Sequence, residues 1–472
     1  MDYQDCLAYC HAAWSEGGFA VEGLKQVIRV PNLSPDYDEE YHTNGLIQQA
    51  CTTTKAWIES LGLKGLKTTL YAEQNKEPLL YIEIEGTSPE LGSVLAYGHL
   101  DKMPHLDPEG WSEGLSATNP VIRGDKIYGR GTNDDCYASF LLMTSMKYIQ
   151  EKGLPHPRVV MVLEAGEESG SSEIENYLEQ LRDQIGDVTS IMVLDAECAD
   201  YNDVWCCTSL RGVCIGTLEV SHVRVPVHSG TGTGIVPSTF RIARMLLSRI
   251  EDEQTGRILI PECHVEIPES RVESCRRIAD QLGEHCLSAI ELLPGSRHIH
   301  KEVYMNVLAK AWEPGLAVTG CDGIPKIKDG SNVIRANTSL KLSLRIPPGV
   351  DGAVILQKMK EILEKDPPYG AKVVFHANDY GNGWFGRDFS PKVNTALVNA
   401  TKAVFGIEPL YYGEGGSIPL CNFFQKKWPD ADIIVTGCAG VDSNPHGYDE
   451  SLDIAYTGKF AAVLCGFLTS LQ

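Results

Sequence analysis

The sequence predicts an α/β fold, a mostly parallel sheet covered by helices, with an inserted α+β domain. Three observations predict it. Apolar β-type runs alternate with amphipathic helical segments over the first 212 residues; strands of alternating polarity take over from about Gly212; the strand-helix alternation resumes after Ser390. Strands separated by helices imply parallel pairing with both faces covered. The catalytic-type domain is therefore read as split, 1–212 and 388–472, around an insertion at 213–387. Arg211-Gly212 and Tyr380-Gly381-Asn382-Gly383 are the expected hinges, because glycine-rich joints bend easily.

In chain order, residues 1–75 read mostly as helices. Ala20–Ile28 forms a short amphipathic one and Asp38–Leu61 a longer one, with apolar residues near helical spacing. Leu79–Glu85, Gly92–Tyr97 and Val159–Glu164 read as strands, Ala138–Gln150 and Ser172–Ile185 as helices, and Ile191–Leu194 as a further buried strand. In the insertion, Val213–Val223, Asn337–Ile346 and Ala371–Ala377 read as strands, with helices at Pro237–Ile250 and Ala353–Glu364. The last part gives helix Val393–Phe405, strand Asp432–Gly437 and helix Asp453–Leu471.

A chain of 472 residues, 43% apolar, can bury a full core. Its net charge of -22, from 63 acids against 41 bases, argues against nucleic acid and anionic membrane surfaces as partners. No apolar run reaches the roughly 20 residues of a membrane span. The start, Met1-Asp2-Tyr3-Gln4-Asp5-Cys6, lacks the basic and apolar regions of a signal peptide. Fifteen scattered cysteines without such a signal read as reduced, buried thiols in a cytoplasmic protein.

The chemistry-bearing residues gather at predicted strand ends. His99 and Asp101 follow Val94–Tyr97, Glu167-Glu168 follow Val159–Leu163, and Asp195 closes Ile191–Leu194. Asp134 follows the glycine-containing run Gly129-Arg130-Gly131-Thr132-Asn133, and His446 lies in Asn444-Pro445-His446-Gly447. Ligands of open α/β sheets collect at the carboxyl ends of strands. Imidazole and carboxylate donors without thiolates suit Zn²⁺, Mn²⁺ or Co²⁺. Each short motif also has a plainer reading. Asp134 or Asp135 can start the helix at Ala138 as an N-cap. Glu167-Glu168 can be a solvated acidic turn, and His446 a loop residue. Asp101 can be a second ligand, an orienter of His99 or a surface acid. In a metal site, one of the adjacent glutamates can bind metal while the other moves a proton.

Taken together, Gly98-His99-Leu100-Asp101, Gly129–Asp134, Gly166-Glu167-Glu168-Ser169-Gly170, Asp195, His228-Ser229-Gly230, Gly415-Gly416-Ser417 and His446 resemble the M20 metallopeptidases, within them the carnosinase-like cytosolic dipeptidases. The resemblance spans nearly the whole chain. It implies two divalent metal ions per subunit, Zn²⁺ foremost and Mn²⁺ or Co²⁺ as alternatives. His99 and Asp195 would hold one ion, Glu168 and His446 the other, and Asp134 would bridge them. Asp101 would orient His99, and Glu167 would be the general base toward a metal-activated bridging water. The insertion becomes a lid and dimerisation domain, whose His228 would reach the partner's active site in a homodimer. Asn332, Arg345 and Ser417 match substrate contacts, an arginine suiting a free carboxylate. The sequence departs from the family at Asp135-Cys136-Tyr137, where lysine and glycine are frequent, at Arg335, and over Met103–Asn119 around Trp111.

The implied activity is hydrolysis of an amide or peptide bond in a small peptide or N-acyl amino acid. The rivals are an N-acyl-amino-acid deacylase, such as a succinyl-diaminopimelate desuccinylase, a carboxypeptidase, a non-catalytic metal-binding protein, and a cysteine hydrolase using Cys136. Ser417 is not in G-x-S-x-G and has no evident triad.

Overall fold

The computed structural model describes every residue except 74–75, 288–289, 291, 417, 419, 441 and 472. The chain forms two compact units. The first takes Met1–Cys207, Arg387–Tyr411 and Phe423–Gln472; the second takes Thr208–Gly386 and Tyr412–Asn422.

The first unit is built on a mixed sheet. Its strands run in the order Leu66–Tyr71, Leu79–Ile84, Arg158–Glu164, Ser93–His99, Ser190–Val193 and Asp432–Val435. The middle of this sheet is parallel: Ser93–His99 pairs in parallel with both Arg158–Glu164 and Ser190–Val193, which pairs in parallel with Asp432–Val435. The flanks are antiparallel, at Leu66–Tyr71 with Leu79–Ile84, at Leu79–Ile84 with Arg158–Glu164, and at Val435 with Cys207. The parallel strands are continuous apolar runs, and every residue of Ser93–His99 and Ser190–Val193 is buried, as expected for strands covered on both faces.

Helix Ile454–Ser470 is buried on nearly every side. It packs against helices Tyr3–Ala13, Tyr137–Glu151 and Pro391–Phe405. A helix apolar all round belongs inside such a layer. Its start is capped by Asp453, whose carboxylate accepts the Tyr456 N–H at 2.7 Å.

Three expectations need correcting here. Asp38–Leu61 is not one helix but two, Tyr41–Asn44 and Leu46–Ser60, preceded by a 3₁₀ turn at Pro35–Tyr37. Gly45 breaks it at φ 73°, a left-handed conformation that glycine adopts without strain. Ser172–Ile185 is two helices, Ile174–Gln180 and Arg182–Ile185. The helical reading of residues 1–75 also passed over the strand Leu66–Tyr71, a half-exposed edge with Lys67, Thr68 and Thr69.

The second unit carries a four-stranded antiparallel sheet in the order Gly315–Asp322, Asn337–Ile346, Gly212–Ser221, Lys372–Gly381. Burial alternates along Gly212–Ser221, the signature of a sheet with one covered face. Leu218, Leu340, Leu342 and Phe375 from that face pack with Ile242 and Leu246 of helix Thr239–Leu247 and with Ile355 and Met359 of helix Gly352–Glu364. Helices Glu269–Leu282 and Val303–Trp312 pack on one another.

Candidate metal centre

Four neighbouring strands deliver side chains to one place in the first unit. His99 is the last residue of Ser93–His99, and Asp101 lies two beyond it. Glu167 and Glu168 sit on the 3₁₀ turn Glu167–Ser169 after Arg158–Glu164. Asp195 lies two residues past Ser190–Val193, and His446 lies in the loop after Asp432–Val435. Asp134 comes from the turn before helix Tyr137–Glu151. That helix is preceded by Cys136 and has no side-chain cap, so the N-cap reading of Asp134 and Asp135 fails. Gly98 lets this turn approach the strand: a Cβ there would lie 2.7 Å from Asp135 Oδ2 and 2.9 Å from Ala138 Cβ.

Asp134 stands at the centre. Its Oδ1 is 3.0 Å from His99 Nε2 and its Oδ2 is 2.9 Å from His446 Nε2. His446 Nε2 also lies 3.2 Å from Glu168 Oε2, and His99 Nε2 lies 4.0 Å from Asp195 Oδ2. Ligand-type atoms of His99, Asp134 and Glu168 lie within 4.8 Å of one another, as do those of His99, Glu167 and Asp195. Asp101 is wholly buried beneath the cluster. Its Oδ1 is 3.4 Å from His99 Nδ1, and its carboxylate accepts the Glu167 N–H at 3.2 Å and the Glu168 N–H at 3.0 Å. One carboxylate thus fixes the histidine ring and the glutamate pair together.

The electrostatics are those of acids crowded out of water. Burial, reinforced by Asp195, raises Glu167 well above the ordinary carboxylate range. Burial also raises Glu168, and pushes Asp195 up to about 7. Burial opposes ionisation of Asp134 too, but hydrogen bonds from His446 and His99 hold it below its usual value. Hydrogen bonds to Asp134 and Glu168 raise His446 to about 10. The donor set fits hard or borderline divalent cations: two imidazoles and three carboxylates, with no thiolate. Glu168 Oε1 is buried with no hydrogen-bond partner among the described residues, as expected of an oxygen kept for a cation.

The predicted residues His228, Asn332 and Arg345 lie in the second unit. His228 is exposed on the short strand Val227–His228, which pairs with Val333–Ile334. Its Nδ1 accepts the Gly230 N–H at 3.1 Å. Asn332, also exposed, is brought beside it, its carbonyl accepting the Ser229 N–H at 2.9 Å. Arg345 is half-buried on Asn337–Ile346. Ser417 lies outside the described residues.

Four residues escaped the sequence reasoning. Arg211 donates to the Glu313 carbonyl at 3.0 Å, and burial together with the neighbouring Arg345 lowers it to about 10. Lys102, Arg130 and Glu450 are buried near the turns that carry the cluster. Glu450 carries a faint signal, an acid four residues after a ligand-type histidine. Trp111 is buried. Its Nε1 donates to the His105 carbonyl at 2.9 Å, and its ring meets Tyr448 edge-on at 6.4 Å.

None of the fifteen cysteines is in a disulfide. Burial pushes the Cys136 thiol up to about 12, which leaves it protonated and a poor nucleophile. Among the described residues no helix is long and apolar enough to cross a membrane.

The chain is similar to known proteins. The cysteinylglycine-S-conjugate dipeptidase of Corynebacterium striatum is 26% identical over 437 residues, covering 90% of this chain and 88% of that protein. The Beta-Ala-His dipeptidase of Homo sapiens is 24% identical over 411 residues, covering 82% and 76%. The crystal structure of human carnosine dipeptidase 1 has the same fold, with a TM-score of 0.78 at 19% identity, covering 100% of this chain and 99% of that one. The sequence pattern of peptidase family M20/M25/M40 matches residues 95–470. A match of that length makes this chain a member of peptidase family M20/M25/M40, an M20-type metallopeptidase.

Proposed function

We propose that the chain hydrolyses the peptide bond of dipeptides at a two-metal centre, with Glu167 as general base. The observation that carries this reading is the convergence of His99, Asp134, Glu168, Asp195 and His446 on one point, with the half-buried Glu167 alongside. His99 and Asp195 would hold one cation, His446 and Glu168 the other, and Asp134 would be shared between them. Zn²⁺ suits the donors best, with Mn²⁺ or Co²⁺ as alternatives. When bound, such cations supply Lewis acidity for the scissile carbonyl and the attacking water.

The chain's own groups do the rest. Glu167 is desolvated and set beside Asp195, so its carboxylate is a strong proton acceptor once cations offset the surrounding charge. It takes the proton of the attacking water and passes it to the leaving amine. Asp101 keeps the His99 ring and the Glu167 backbone in register. Arg345, with Asn332 and Ser417, receives the substrate's carboxylate, and His228 donates to the developing oxyanion. The inserted domain, 213–387, acts as lid and dimer contact, with His228 contributed by the partner of a cytoplasmic homodimer.

The dipeptidase names of the curated relatives favour dipeptides over N-acyl amino acids. Side-by-side kinetics on dipeptide and N-acyl-amino-acid panels test this choice, and faster turnover of the second panel would overturn it. Glu167→Gln should lower kcat by about 10²–10⁴-fold while metal content stays at the wild-type level. Retained activity would sink the general-base assignment.

A further inference from the structure

We infer that Glu450 is a positioning residue that sets the Asp134–His446 half of the metal centre, and that its loss weakens that half selectively. The inference rests on the two-metal reading above. Glu450 is fully buried, four residues beyond His446 in the chain. Its Oε1 accepts three consecutive-turn backbone N–H groups, from Gly131 at 2.9 Å, Asn133 at 3.1 Å and Asp134 at 3.3 Å. Its Oε2 accepts from Arg130 Nη1 at 2.6 Å. Its backbone carbonyl accepts the Gly129 N–H at 2.9 Å. One carboxylate therefore gathers the whole turn that carries Asp134.

Arg130 closes the link in the other direction. Its Nη2 donates to the Gly447 carbonyl at 2.8 Å, next to His446, and its Nε donates to the Pro104 carbonyl at 3.1 Å. The buried pair thus ties residues 129–134 to residues 446–450, more than 300 positions apart in the chain. The His446 loop needs such a tie. Asp442, Asn444, His446 and Asp449 all hold positive φ, at 60°, 51°, 61° and 56°. Non-glycine residues persist there only where their surroundings impose it.

The other half of the centre is held differently. His99 ends a buried strand and Asp195 lies two residues past its parallel neighbour, so the sheet ladder fixes them. Among the described residues Glu450 makes no bond to either. A buried ion pair of merely structural value would lower stability and leave the ratio of the two metal affinities alone. A positioning pair changes that ratio, because it spaces Asp134 from His446.

The test is calorimetric titration of the metal-free full chain with Zn²⁺, with metal content counted after dialysis and thermal melting in parallel. Wild type should take two ions. Glu450→Gln keeps an acceptor for the turn but turns an NH₂ toward Arg130. It should weaken the ion held with His446 and Glu168 about 10–100-fold, the usual range for a group that orients metal ligands, and the other ion, which shares only Asp134, by less. Arg130→Lys should weaken the same ion to a smaller degree, and it carries the test if Glu450→Gln does not fold. Unchanged affinities, or an equal fall in both, would overturn the inference. A wild-type chain that binds fewer than two ions would instead overturn the two-metal reading itself.

Discussion

Asp101 shows how much one buried carboxylate can organise. It contacts the His99 ring on one side and accepts two successive backbone N–H groups, of Glu167 and Glu168, on the other. Asp101→Asn would set an amide N–H₂ against one of these donors. Turnover should fall about 10–100-fold with the fold retained, which steady-state kinetics and circular dichroism would check. Glu164 makes a second residue-scale case. Burial pushes it up to about 7, although the Tyr97 hydroxyl donates to it at 2.6 Å and the Ser171 hydroxyl at 2.9 Å. A carboxyl group raised on folding favours the folded state at low pH. Its contribution is fully present below the ordinary carboxylate range and is lost as pH rises through about 7. Glu164→Gln removes that titration, so the melting temperature of the metal-free variant should fall less between pH 5 and 8 than that of the wild type.

At the scale of elements, the end of helix Phe19–Ile28 depends on a lysine far away in sequence. Lys102 is fully buried, and its Nζ donates to the carbonyls of Val27 at 2.9 Å and Val30 at 2.8 Å. A helix C-terminus leaves carbonyls unpaired and welcomes a cation. Lys102→Met should leave those carbonyls without a donor and cost about 1–3 kcal/mol, readable by urea denaturation. The same ammonium stem sits under Gly131, where a Cβ would meet Lys102 Cε at 2.9 Å. Cys136 and Lys102 share the space beside this turn. Element boundaries were legible where apolar periodicity was strong, as at Asn337–Ile346, which the sequence reading placed correctly at both ends. They were not legible at Leu66–Tyr71 or Gly315–Asp322, whose mixed exposure leaves no apolar pattern to read.

At the scale of the molecule, the proposed metal centre would couple binding to stability. Cations and protons compete for the same carboxylates. Burial raises Glu168 and holds Asp195 near 7, so without metal these acids favour the folded state only while protonated. The metal-free chain should lose stability as pH rises through about 7, whereas the loaded chain is held by its ligand. The gap in melting temperature between Zn²⁺-loaded and chelator-treated protein should therefore widen from pH 5 to pH 8. A gap that narrows would show that these carboxylates do not receive the metal.

The sequence by itself determined the α/β class and which side chains could meet. Buried parallel strands are written as unbroken apolar runs, so the acids and histidines that end them stand out. What it left open at Asp134 and at Glu167-Glu168 was whether these acids were caps, turns or parts of a site. Only the tertiary structure decided that, because the answer depends on contacts between segments hundreds of residues apart. Asp134 is read as a shared carboxylate once His99 and His446 are found on its two oxygens. Glu450 gains its meaning only when its carboxylate is seen beneath the Asp134 turn. Periodicity reports the local backbone and which face is buried; the long-range pairing that brings ligands within a few ångströms follows from packing.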